Sequence, residues 1–151
     1  MDHRITLAEC EDDYRQSAEL LTVSEPWSEL KRTFEYSLAK VSNPDSKLYV
    51  VNKDSEVLGC LILEPYGPLK CFVRALCIKE GYRGRHLGSA LLKHVEDEVF
   101  TYTKNVFLFC EGERRLRFYK DNGYQTVGEL KDYNKEGLSE YIMRKTTGPL
   151  E

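Results

Sequence analysis

Several things are missing from this chain. No stretch approaches the about 18 apolar residues of a membrane span, and the N-terminal MDHRITLAEC lacks the apolar core of a secretion signal. No two of the five cysteines (Cys10, Cys60, Cys71, Cys77, Cys110) stand as C-x-x-C, and their number is odd. That argues against a disulfide framework or a zinc site, and reads instead as reduced thiols packed as small apolar groups. There is no excess of basic residues: the net charge is -3, so neither nucleic acid nor a membrane surface is expected as a partner. Repeats, low-complexity tracts and linkers are absent too, and a cytoplasmic location is expected. What remains is the composition of an ordinary globular domain, 41% apolar and 31% charged over 151 residues. Residues 1–149 read as one domain, with Leu150-Glu151 as a tag remnant.

Local patterns place the elements. Arg4-Ile5-Thr6-Leu7 alternates polar and apolar and predicts a strand. Tyr14, Ala18 and Leu21 share a helical face. Pro26 suits a second helix start, with Leu30, Phe34, Leu38 and Val41 recurring at spacings of four, four and three residues. After the turn "NPDS" come three β-rich runs, "LYVV", "VLGCLIL" and "CFVRALCI". Their short connections predict antiparallel hairpins. A helix carrying Leu87, Leu91, Val95 and Val99 follows, then the strand "NVFLFC". The helix in "ERRLRFYKDNGY" ends at Asn122-Gly123, and "YQTVGEL" and "SEYIMRK" complete the chain as strands. The order implies a mixed α/β fold around one sheet.

The chemistry concentrates in "GYRGRHLGSALL", residues 81–92. A glycine-bearing turn here opens directly into a helix. A helix N-terminus presents unpaired N–H groups and a partial positive charge, and so accepts phosphate. Gly84 and Gly88 allow close backbone approach, and Arg83 and Arg85 add charge. No G-K-[ST] follows, and the pattern is not G-x-G-x-x-G, so neither a P-loop nor a dinucleotide site is indicated.

Preceded by "VRALCI", this loop resembles the acetyl-CoA motif [QR]-x-x-G-x-[GA] of the GNAT superfamily of N-acetyltransferases. It reads Arg83-Gly84-Arg85-His86-Leu87-Gly88, with His86 in place of the middle glycine. Downstream, "GERRLRFYKDNGY" resembles the family's N-x-x-A-x-x-x-Y-x-x-x-G-[FY]. It keeps Tyr119, Gly123 and Tyr124, with Gly112 for the Asn and Arg115 for the Ala. The likeness extends through "SEPW" and "SEYIMRKT" to nearly the whole chain, and its tail is similar to the ribosomal-protein N-terminal acetyltransferase branch.

The resemblance implies the GNAT acyl-CoA N-acyltransferase fold, a mostly antiparallel sheet splayed at the cofactor site and flanked by helices. It implies acetyl-CoA as co-substrate, without a metal. The pyrophosphate would rest on backbone amides of Arg83, Gly84, Arg85, His86, Leu87, Gly88 and Ser89. The pantetheine arm would bond main-chain groups of Leu76, Cys77 and Ile78. A backbone N–H near Ile78 would receive the oxyanion. Tyr119 matches the general acid, although Leu116 and Tyr119 at i and i+3 also read as a core stripe. Glu25 and Trp27 would line the acceptor site, where an amine of a small molecule, peptide or protein attacks directly. Glu25, Glu64 and Glu111 are candidates for the base. At His86, which tolerates positive φ better than most residues, the imidazole is either in solvent or on a phosphate. The family implies a monomer or homodimer. The rival readings are a non-catalytic acyl-CoA-binding module of the same fold and a generic phosphate-binding domain.

Overall fold

The computed structural model describes residues 2–151. Seven strands form one sheet in the order β1-β2-β3-β4-β5-β7-β6. The strands are β1 (Arg4–Leu7), β2 (Lys47–Lys53), β3 (Glu56–Glu64), β4 (Phe72–Ile78), β5 (Asn105–Glu111), β6 (Gln125–Leu130) and β7 (Glu140–Thr146). The helices are α1 (Glu11–Thr22), α2 (Phe34–Val41), α3 (Leu87–Val99) and α4 (Glu113–Asp121). Every neighbouring strand pair is antiparallel except β4–β5. The expected mixed, mostly antiparallel sheet is therefore what forms.

Two apolar cores cover the sheet's two faces. Leu91, Leu92, Val95 and Val99 of α3 pack with Leu61, Leu108 and Met143 on one side. Ala18 and Leu21 of α1, Val41 of α2 and Trp27 pack with Val50, Ile62 and Cys77 on the other. Cys60, Cys71, Cys77 and Cys110 are buried in these layers as free thiols.

The second helix differs from its sequence pattern. Residues 24–31 coil through turns, with Leu30 N–H on the Pro26 carbonyl at 3.0 Å. Lys31 then takes a left-handed φ of 56°, which no L-residue helix can propagate. Thr33 restarts the chain as an N-cap, its hydroxyl accepting from Tyr36 N–H at 3.0 Å, so α2 begins at Phe34. The periodicity of Leu30 with Phe34 thus spans a break. That break frees the "SEPW" segment to turn back over the sheet.

The decisive feature lies between β4 and β5. They pair only at Phe72↔Phe107 and Val73↔Leu108. Immediately afterwards a β-bulge, where Ile62↔Ala75 is followed by Leu63↔Val73, leaves Arg74 as the extra residue in β4. Beyond it β4 stays on β3 and parts from β5.

Candidate functional site

Strand alternation decides which groups face the gap. Lys79 N–H bonds the Leu58 carbonyl at 2.8 Å, so Lys79 and, two residues back, Cys77 direct their main-chain groups towards β3. Leu76 and Ile78 therefore direct theirs towards β5, which has already departed. Of the three residues expected to offer backbone bonds, Cys77 is the exception. Its amide and carbonyl belong to the β3 ladder, while its Sγ lies 3.0 Å from Ser24 Oγ in the core. Burial pushes the Cys77 thiol up, away from the thiolate a covalent mechanism needs. The Ile78 carbonyl accepts from Arg83 Nε at 2.9 Å, which ties the loop to the strand end.

The loop turns through Gly84 at φ 77° and His86 at φ 63°. His86 is the N-cap of α3 and makes no side-chain cap. Its left-handed conformation answers why a histidine can stand where glycine is expected. The first intrahelical bond of α3 runs from Ala90 N–H to the His86 carbonyl at 3.0 Å. The amides of Leu87, Gly88 and Ser89 thus have no helical partner. Gly88 has another duty: a Cβ there would stand 3.3 Å from Phe118 Cζ, so its bareness lets α4 pack against the first turn of α3. Arg85 lies over the Tyr82 ring at 5.2 Å.

The gap opens into a cleft of about 280 Å³. Leu76, Cys77, Tyr119, Glu25, Trp27, Glu111, Arg115 and Glu140 all border it. A wider groove of about 900 Å³ between α1 and α2 lies apart from these groups. Tyr119 belongs to the core and to the cleft wall at once. It is 8% exposed and packed in the α3-side core, yet it also borders the cleft. Its ring meets Tyr124 edge-on at 5.7 Å. A Schellman turn, Tyr124 N–H to the Tyr119 carbonyl and Gly123 N–H to the Lys120 carbonyl (both 3.0 Å), fixes its backbone. Burial raises its phenol well above the ordinary range, so it stays protonated.

Gly112 explains one departure from the family pattern. As N-cap of α4 it sits at φ 86°, ψ 152°, a region closed to asparagine and nearly every residue but glycine. Arg115, the other departure, faces the cleft. Its guanidinium reaches Glu25 at 3.7 Å and the Glu111 carbonyl at 3.3 Å. Glu25 is exposed at the mouth, while Trp27 is buried, edge-on to Tyr36 at 5.6 Å. Glu64 ends β3 outside the cleft lining, whereas Glu111 is buried within it. The sequence reading missed Glu140 and Asn134. Asn134 Nδ2 donates to Glu111 Oε2 at 3.2 Å and to Glu140 Oε2 at 3.3 Å. Only the β5–β7 register, which sets Glu111 opposite Glu140, could have revealed them.

The fold has close counterparts. The chain superposes on an aminoglycoside 6'-N-acetyltransferase complexed with coenzyme A at a TM-score of 0.82, with 18% identity, covering 97% of this chain and 98% of that one. The ribosomal-protein-S18-alanine N-acetyltransferase from Escherichia coli gives 0.82 at 12% identity, over 99% and 96% of the two chains. Ard1 from Thermoplasma volcanium gives 0.78 at 18%, over 99% and 100%. No curated protein sequence matches the chain. Residues 8–124, however, match the sequence profile described as the acetyltransferase (GNAT) family. With the parted strands and the open helix N-terminus already in place, that match means the chain belongs to the GNAT family of acetyl-CoA-dependent acetyltransferases.

Proposed function

We propose that the protein transfers the acetyl group of acetyl-CoA to a primary amine by direct attack within one ternary complex. The observation that carries this is the parting of β4 from β5 after two paired positions, with main-chain groups that β5 leaves without a strand partner on one wall and Tyr119 on the other. The donor substrate fits the residues present. The amides of Leu87, Gly88 and Ser89, with Arg83 and Arg85 nearby, suit its pyrophosphate. The outward-facing groups of Leu76 and Ile78 suit the pantetheine arm, and the Ile78 N–H suits the oxyanion that develops at the thioester carbon. Tyr119, neutral in its buried setting, is the proton donor to the departing thiolate. Glu25 and Trp27 form the acceptor wall.

Holding both reactants in the cleft supplies proximity, and the enzyme needs no covalent stage on Cys77. Similar proteins are named for aminoglycosides and for the alanine of ribosomal protein S18. This chain's acceptor is an amine that enters past Glu25, with peptide α-amines the first to try.

Thermal melting with acetyl-CoA, CoA, ADP or no ligand tests the donor site. A ligand at a hundred times its Kd adds about 2.7 kcal/mol and raises Tm by several degrees. Acetyl-CoA and CoA are expected to stabilise clearly and ADP little. Thiol release over an amine panel then separates catalysis from mere acyl-CoA binding. An absence of any shift would remove the donor site and the reading with it.

A further inference from the structure

We propose that Glu140, set opposite Glu111 and bridged to it by Asn134, is the base that takes the proton from the acceptor's ammonium group. This rests on the transferase reading above, and names a residue for a role that reading leaves unfilled.

The geometry comes from three separate elements. Glu111 closes β5 and Glu140 opens β7, and the two are direct partners in the antiparallel ladder. Asn134, from the loop between β6 and β7, gives its single amide nitrogen to both carboxylates, at 3.2 and 3.3 Å. All three border the same cleft as Tyr119. Two carboxyl groups this close, bridged by one neutral amide, do not readily carry two full charges. The charged and titratable neighbours leave the pair short of cations. On α4, Arg115 extends its guanidinium to Glu25 and to the Glu111 carbonyl oxygen. From the β6–β7 loop, Lys135 is paired with Glu29, and Tyr133 borders the same cleft. From β5, Cys110 is a buried thiol pushed up to about 12. Tyr119 is also held neutral.

Burial and the charge of Glu111 consequently push the Glu140 carboxyl up to about 7. A base is most effective when its pKa lies near the working pH. Glu111 is over nine-tenths buried, and Glu25 is exposed and engaged with Arg115. Glu140 is the carboxyl that combines a place on the cleft wall with a matched proton affinity.

The protons balance. An entering ammonium gives one proton to the Glu140 carboxylate, and the neutral nitrogen's lone pair forms the C–N bond at the thioester carbon. The C–S bond breaks, and the thiolate takes the Tyr119 proton. The nitrogen's remaining excess proton restores Tyr119, and Glu140 releases its own to water. Ammonium and thioester thus become amide, thiol and one proton.

The test uses the whole protein with carboxyl carbons labelled for NMR. One glutamate is expected to titrate near pH 7, to vanish in Glu140→Gln, and to fall towards the ordinary range of about 4.3 in Glu111→Gln. If Glu140 titrates in that ordinary range in the wild type, the proposal is overturned, whatever the activity. In parallel, thiol release is followed against pH with short peptides and small primary amines. Glu140→Gln should lose about a hundredfold or more in kcat/KM while acetyl-CoA still raises its Tm. In Glu111→Gln the acid limb should move down by about one pH unit or more. A Glu140→Gln enzyme with an unchanged rate and acid limb overturns the base assignment and leaves the transferase intact. If acetyl-CoA leaves the wild-type Tm unmoved, the transferase reading falls and the base assignment with it.

Discussion

Two buried carboxylate clusters flank β7, and they are built oppositely. On the α3 side, Glu96 is closed by partners: Lys145 Nζ at 2.7 Å and the Tyr124 hydroxyl at 2.8 Å. On the cleft side, Glu140 faces another carboxylate and an amide. Strand alternation puts Lys145 and Glu140 on opposite faces of β7. The first cluster ties α3 to β7 and to Tyr124 just before β6, and its charges are matched. The second keeps a charge conflict beside solvent. Burial alone therefore does not mark a functional group; what distinguishes the two is whether the protein supplies the counter-charge.

The largest expected effect breaks the closed cluster. Lys145→Ala leaves Glu96 buried without its cation and should cost about 3–5 kcal/mol in urea unfolding. The acid limb of any acetyl transfer should not move. A change in that limb instead would mean the clusters are not independent.

The stacked tyrosines sharpen the contrast next. Tyr119→Phe should cut turnover by roughly ten- to a thousandfold, with acetyl-CoA binding retained. Tyr124→Phe removes a hydrogen bond to a buried carboxylate. It should cost about 1.5–3 kcal/mol of stability and leave turnover in place. Equal effects of the two on turnover would remove Tyr119 from the proton path.

A smaller effect concerns pH. Because the Glu140 carboxyl is pushed up to about 7 from an ordinary 4.5, the folded state binds its proton more tightly than the unfolded one between those values. Stability from this group is full at the acid end and declines as pH rises through 7. Glu140→Gln should flatten that slope and be the more stable form at pH 8. The gain is on the order of 1 kcal/mol, since the half-buried carboxyl is partly screened. Chemical unfolding at pH 5 and pH 8 measures it, and Glu96→Gln should give no such gain.

The smallest effect leaves both clusters alone. His86→Gly relieves a left-handed histidine, worth about 1–2 kcal/mol, but frees the unfolded chain by about 0.5–1 kcal/mol. The net should be a gain of no more than about 1.5 kcal/mol. Acetyl-CoA affinity should stay within tenfold, about 1.4 kcal/mol, and titration calorimetry reads it directly. A larger loss would put the imidazole on the phosphate.

Legibility followed the range of the interaction. The α3 stripe, the Asn122-Gly123 stop and the hairpins among β2, β3 and β4 depend on neighbours in the chain, so composition and period disclosed them. The left-handed tolerance of histidine made the loop readable despite its missing glycine. The second helix departs from its pattern because one residue, Lys31, breaks a periodicity that the spacing of Leu30 and Phe34 cannot register. Cys77 is indistinguishable from Leu76 and Ile78 by sequence, which does not say which residues of a strand turn their amides to which neighbour.

Most elements, the order that makes a mixed sheet, and the glycine-bearing turn that opens α3 are written locally in the sequence, because propensity, period and turn chemistry act over a few residues. Where β4 leaves β5, that Arg115 reaches Glu25, and that Glu111 meets Glu140 beneath one amide are all outcomes of the folded chain. Those relations join residues distant in the chain. They are set by strand register and by the low-dielectric surroundings it creates, neither of which is encoded at any single position.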